Sequence, residues 1–363
     1  MSTAKRMLFY SRDPGGANCV IPVYQRLREL KGVEPLLWGK DFAIQKYRED
    51  GLIYRDIGDL KPEEIHKLLK QFDPKVLITG TSYGDRTEQR LWKWTKESGV
   101  YSIAILDQWL SYRLRFSDSG GQPVLPDKIL VMDEFAKQEM VAEGFDQRRI
   151  LVTGQPHFEV LQDKAKKITV LDKKKIRKDL NLQDGIIILF VSEPLSTAQH
   201  VDMGFTEQTI LQDFIDEICH VCPLEMVNLL VKLHPKQQPE KVRNFISSFA
   251  IPKNVRLSLI ADFPVLPLIL VADIVIGMQS TVLIEANLLE KPVISIQIGR
   301  KGPDQFILSK RGIVEAITTR NVLKQELRRL FLREGRKPQK ILPVIPRPIE
   351  NVKRFIISAF DQQ

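Results

Sequence analysis

Polar residues that could do chemistry gather in five places along this chain of 363 residues, each directly after an apolar run. The sharpest is Lys232-Leu233-His234-Pro235-Lys236, where a histidine follows the run 229–233 and is flanked by lysines. That setting suits a core histidine badly. An imidazole at a strand end can donate to a phosphate or a leaving oxygen, and the lysines add positive charge. The second place is Ser280-Thr281, after the run 274–276 and Gly277, at the head of a helical pattern over 281–289. Exposed N–H groups and the positive dipole end favour an anion there, a phosphate first of all. Ser280 would equally serve as an ordinary N-cap, and the segment by itself leaves both readings open.

The third place is Ser192-Glu193-Pro194-Leu195-Ser196-Thr197, a hydroxyl-rich loop after the run 186–191. Fourth, Asp107-Gln108-Trp109 follows 101–106, with Tyr112, Arg113 and Arg115 close behind. A carboxylate at a strand end can act as general base on a hydroxyl, or can simply close an Asx-turn. Fifth, Ser11-Arg12-Asp13-Pro14-Gly15-Gly16-Ala17-Asn18 follows the run 7–10. Its paired glycines let backbone approach a ligand or another loop closely, or make a plain tight turn. It is neither G-x-G-x-x-G nor a P-loop, since no Gly-Lys-Ser/Thr follows.

The elements that position these residues alternate between strand and helix. Strand-like runs at 7–10, 36–38, 53–57, 76–79, 101–106, 129–132 and 150–153 enclose helical patterns at 19–30, 62–72 and 86–97. After a charged helical stretch at 158–180 the series restarts, with strands at 186–191, 229–233, 255–257, 274–276 and 293–298 and helices at 206–220, 240–249 and 281–289. Strands joined through helices are parallel, and strands without polar alternation are covered on both faces. The fold class is therefore α/β, with two open parallel sheets, and ligands in such sheets bind beyond the carboxyl ends of the strands. The expected division is an N-terminal domain over 1–157, a linker over 158–180, a second domain over 181–337, and a tail over 338–363 whose last helix crosses back.

The net charge of +9 concentrates at 164–178 and 320–340, read as solvated helix faces or as attraction to an anionic membrane surface. No run approaches the roughly 20 apolar residues of a membrane span. Residues 1–6 lead straight into a strand, so no signal peptide is expected and the cytoplasm is the default, with the inner membrane face as a peripheral alternative. Three cysteines make no disulfide framework, and Cys219 with Cys222 lacks a second pair at zinc spacing. No metal site is expected. Nothing resembles a nucleic-acid-binding module.

Taken together, the chain resembles the GT-B superfamily of glycosyltransferases, in which two Rossmann-like domains face each other across a cleft. Lys232-Leu233-His234-Pro235 is similar to the K-x-H-P signature of bacterial enzymes that use cytidine-linked donors, among them polysialyltransferases and capsular Kdo transferases. A similar His-Pro pair occurs in teichoic-acid glycerophosphotransferases. Ser280-Thr281, with Glu285 one turn on, resembles their serine motif. The likeness implies a donor domain over 181–337 and an acceptor domain over 1–157. By that likeness His234 would hold the donor phosphate or leaving group, Ser280 and Thr281 would take phosphate oxygens, and Glu285 would face the ribose. From their positions at strand ends, Lys232, Ser192, Ser196 and Thr197 are further candidates for the donor phosphate.

On the acceptor side Asp13 and Asp107 are base candidates from the residues themselves, with Arg12, Gly15, Gly16, Asn18, Trp109 and Arg113 around them. The donor would be CMP- or CDP-linked, with UDP as an alternative, and the acceptor a glycan or lipid-linked group, as in cell-surface polysaccharide or glycoconjugate synthesis. Helix dipoles and His234 would offset the leaving charge, so no metal cofactor is required. Leu151-Val152-Thr153-Gly154-Gln155-Pro156 is similar to the T-G-N-P segment of UDP-N-acetylglucosamine 2-epimerases, with Gln155 in place of asparagine. An epimerase and a catalytically silent nucleotide-sugar binder are the rival expectations.

Overall fold

The computed structural model describes residues 5–82, 84–197, 202–221, 224–332 and 338–361. The chain divides into two compact units, Met1–Val160 with Pro343–Gln363, and Leu161–Leu342.

The first unit is built on seven parallel strands, β1 (Lys5–Ser11), β2 (Val33–Gly39), β3 (Arg55–Asp56), β4 (Val76–Thr79), β5 (Tyr101–Ile105), β6 (Lys128–Val131) and β7 (Ile150–Val152), in the order β3-β2-β1-β4-β5-β6-β7. Helices α1 (Pro14–Arg28), α2 (Phe42–Glu49), α3 (Pro62–Phe72), α4 (Thr87–Ser98), α5 (Tyr112–Arg115) and α6 (Glu134–Ala142) connect them. Met7 to Tyr10 in β1 and all of β4 are buried, because helices cover both faces of the sheet. One core gathers Phe9, Val20, Val23, Leu27, Ile78 and Ile105.

The chain passes to the second unit within α7 (Pro156–Lys167), followed by α8 (Val170–Asp179). Here the strands are β8 (Ile186–Val191), β9 (Val227–Lys232), β10 (Val255–Ile260), β11 (Ile274–Gly277) and β12 (Val293–Ser295), in the order β10-β9-β8-β11-β12. Helices α9 (Glu207–Val221), α10 (Pro239–Ile246), α11 (Val265–Val271), α12 (Thr281–Leu288), α13 (Ile307–Lys310) and α14 (Arg320–Phe331) complete it. All six residues of β8 are buried, and Ile188 and Phe190 pack with Phe214 of α9. The last helix, α15 (Pro348–Asp361), packs on α1 of the first unit through Val352 and Ile356.

Several expectations are corrected. The strand expected over 53–57 shrinks to the two exposed residues of β3, and Ile53 is 86% exposed, since an edge position offers it nothing to pack against. The first helix begins at Pro14 rather than at 19, so Gly15, Gly16 and Asn18 lie in its first turns and not in a loop. Proline at the first helical position has no N–H to lose and a pre-set φ, which outweighs the low helix propensity of the two glycines. Helices α6 and α11 were not anticipated. Asp133 starts α6 by accepting the Ala136 N–H at 2.8 Å, while the apolar α11, VLPLILV, has no polar face to mark a helical period. Cys19 and Cys219 are thiols, and Cys222 lies outside the described residues, as do 333–337 of the basic stretch. Among the described residues no helix is long and apolar enough to cross a membrane.

Gly16 of α1 passes directly over Gly80 beyond β4. A Cβ on Gly80 would lie 2.7 Å from the Gly16 Cα, a backbone contact no rotamer can relieve. Gly80→Ala should therefore cost about 1–3 kcal/mol, read as a lower urea midpoint with an unchanged slope.

Candidate functional site

Parallel strands deliver their last residues to one edge, and the strand order reverses between β8 and β11 in the second unit and between β1 and β4 in the first. Such reversals leave a crevice because the flanking connections depart to opposite sides.

In the second unit the loops after β8, β9 and β11 are tied together. Gln237, just past β9, accepts the His234 N–H through Oε1 at 2.9 Å and donates through Nε2 to Ser192 Oγ at 2.9 Å. The His234 ring is half-buried, and its Nδ1 accepts the Lys236 N–H at 3.1 Å. A neutral imidazole so engaged carries its proton on Nε2. The loop after β11 reaches across in the same way, Gln279 donating its N–H to Glu193 Oε1 at 2.8 Å. Withdrawal from water raises the Glu193 carboxyl to about 7, against the downward pull of the backbone at 278–280 and with a further upward push from Glu207.

Sequence reasoning brought Ser192 and His234 to this edge, and the structure adds Gln237, which carried no signal beyond its place after a strand. Other expected ligands are engaged elsewhere. The Lys232 ammonium donates to the Ala261 carbonyl, tying β9 to the loop after β10, and burial lowers its pKa. Ser280 is the N-cap of α12, accepting the Val282 N–H at 3.2 Å, with Thr281 first in the helix. Ser196 Oγ donates to Glu207 Oε1 at 2.6 Å. Glu285 is only 6% exposed, one turn into α12, a position that does not suit a ribose contact. The Thr197 side chain lies outside the described residues.

In the first unit Asp107 follows β5 and is buried. Its Oδ1 accepts from Arg115 Nη1 at 2.7 Å and from Thr81 Oγ1 at 2.9 Å. Its Oδ2 rests against Gly15, where an added Cβ would stand 2.0 Å away. Gly15 is therefore a glycine because a carboxylate occupies the space of its side chain. Asp13 is more open and takes the Arg12 guanidinium at 2.9 Å, while Arg12 Nε donates to Asp41 at 2.7 Å. Trp109 is 4% exposed, gives its indole N–H to Asp133 at 3.0 Å and stacks on Phe158, so it packs rather than meeting a sugar. Arg113 donates to the Glu143 carbonyl beyond α6. Asn18 is half-buried in α1.

The polar run 79–88 after β4 supplies residues that sequence reasoning missed, although the strand-end rule pointed to it. Burial alone would raise Asp85, but the hydrogen bond and charge of Lys40, with the side-chain and backbone hydrogen bonds of Thr87, hold it at about 2. Three residues on, Glu88 is fully buried. It accepts from the Ser82 hydroxyl, and its Oε2 has no partner among the described residues. Burial first, then repulsion from Asp85 and Asp13, raises it to about 8. Among the described residues no three His, Cys, Asp or Glu side chains converge as a metal site needs.

Residues 136–298, less than half of the chain but including the His234 and Ser280 loops, match the model of the alpha-2,8-polysialyltransferase family. No curated protein matches the sequence. Among solved structures, UDP-GlcNAc 2-epimerase from Neisseria meningitidis bound to UDP-GlcNAc is 16% identical, with 99% of this chain and 100% of that one covered and a TM-score of 0.73. UDP-GlcNAc 2-epimerase from Methanocaldococcus jannaschii is 13% identical over 97% and 99%, with a TM-score of 0.71. A glycosyltransferase from Rickettsia africae ESF-5 is 13% identical over 99% and 95%, with a TM-score of 0.60. At such identities the likeness is one of fold, a GT-B-like pair of Rossmann-like domains.

The raised Glu88 gives a stability signature. A carboxyl whose folded pKa of about 8 lies above its ordinary 4.5 contributes stability that is complete below the lower value and is lost as pH rises to the upper one. Glu88→Gln should remove that loss, so its melting temperature relative to the parent should climb between pH 5 and 8 by on the order of 5 °C.

Proposed function

We propose that this chain is a glycosyltransferase that takes a nucleotide-activated sugar, with donor chemistry in Leu161–Leu342 and acceptor chemistry in the other unit. The observation that carries the reading is His234. It stands at the end of β9, its ring oriented by the Lys236 amide and its backbone by Gln237, inside the segment that matches the polysialyltransferase model.

In the transfer an acceptor hydroxyl gives its proton to a carboxylate, and its oxygen bonds to the anomeric carbon. The bond from that carbon to the donor phosphate breaks, and the electron pair leaves on a phosphate oxygen. His234 Nε2–H and the amides at the head of α12 would receive that charge, a preorganised arrangement that needs no reorganisation as the charge forms. Of the two base candidates, Asp13 is favoured over Asp107, whose side chain is 5% exposed and tied to Arg115. Ser280 and Thr281 would contribute through backbone more than hydroxyl, since Ser280 Oγ caps the helix. The K-x-H-P likeness favours a CMP- or CDP-linked donor and a glycan or lipid-linked acceptor of a cell-surface polysaccharide.

The epimerase reading has the fold likeness behind it and requires a UDP-sugar. A thermal-shift panel of CMP, CDP, UDP, GDP and dTDP separates the two, because a ligand of the folded state raises the melting temperature. CMP or CDP should give the largest rise, and a response to UDP alone would transfer the weight to the epimerase. His234→Ala should cut transfer by about 10²–10⁴-fold at an unchanged melting temperature. A variant with full activity would remove His234 from the mechanism.

A further inference from the structure

The order reversal between β8 and β11 marks where a ligand should enter the second unit, and a side chain of the chain itself already reaches across it. Glu193, second in the loop after β8, accepts the Gln279 N–H at 2.8 Å. Gln279 precedes the N-cap Ser280, so this amide belongs to the β11–α12 loop and not to the helix. Loop amides at such a crevice are the donors an anionic ligand takes up, and here a carboxylate has taken one.

We propose that Glu193 is an internal stand-in for the anionic group of the donor, holding the loop amide while the site is empty and giving it up when the donor enters. The proposal rests on the reading of this edge as the donor phosphate site. The loop is built to let the side chain leave without itself moving. Ser192, before Glu193, is held by Gln237 at 2.9 Å, and Ser196, beyond it, is held by Glu207 through both its N–H and its hydroxyl. Release of Glu193 then requires only rotation about its side-chain bonds. A carboxylate and a phosphate are equivalent partners for an N–H, and the phosphate brings more oxygens to the neighbouring amides. The upward pull on the Glu193 carboxyl from its own desolvation loosens the hold that must be broken.

The experiment is calorimetric titration of the full chain with inorganic pyrophosphate and with CMP at one pH and salt concentration, on the parent, Glu193→Ala, Glu193→Gln and Glu193→Asp. Removing a charge-assisted competitor should tighten binding by about tenfold or more in Glu193→Ala, with Glu193→Gln between it and the parent. Glu193→Asp distinguishes displacement from bulk electrostatics. It keeps the charge but falls short of the amide, so it should also bind more tightly than the parent, whereas a purely electrostatic effect would leave it unchanged. Unaltered or weaker binding in all three variants, at parental melting temperatures, overturns the stand-in. If Glu193→Ala melts early, the near-isosteric Glu193→Gln and Glu193→Asp decide. Binding by no protein, the parent included, overturns the donor site together with this inference, whereas binding by the parent without gain in the variants overturns this inference alone.

Discussion

Strand direction is the constraint on which this molecule depends. Every pairing in both sheets is parallel, so β1, β4 and β5 end on one edge of the first unit and β8, β9 and β11 on one edge of the second. Groups far apart in sequence meet there without any local signal between them: the side chains of Thr81 with Asp107 and Arg115, those of Ser192 with Gln237, and the Glu193 carboxylate with the Gln279 backbone N–H. Burial on both faces holds the strands in place, and the loops at the edge are left to vary in chemistry.

The two edges solve different electrostatic problems. In the first unit carboxylates are crowded, and the protein separates them by environment. Asp85 stays charged beside Lys40, Asp107 is bonded to Arg115, and Glu88, with no cation partner among the described residues, is kept neutral by burial. In the second unit the edge gathers the His234 imidazole, backbone amides and the head of α12.

The sequence made strands and their ends legible because buried parallel strands are unbroken apolar runs; β8 and β11 read directly from IIILFV and IVIG. It misjudged where helix grammar conflicts with composition. Gly15 and Gly16 look like a loop, yet Pro14 starts α1 before them, and the spatial reason for both glycines, Asp107 against one and Gly80 against the other, lies on other strands. Candidate residues were legible by position but not by engagement. Lys232 and Trp109 stand where a ligand contact was expected, and only the fold shows that Ala261 and Asp133 already hold them. Glu88 was missed because a carboxylate on a helix reads as solvent-facing until its burial is seen.

The C-terminal helix α15 belongs to the core of the unit that begins the chain, with Val352 and Ile356 fully buried in it, while Leu161–Leu342 forms the other unit in between. The later-made unit is thus continuous and can assemble as soon as it leaves the ribosome. The earlier-made one stays unfinished, its α1 face bare, until α15 has been translated. Domains commonly mature in the order of synthesis, and here the topology reverses that order.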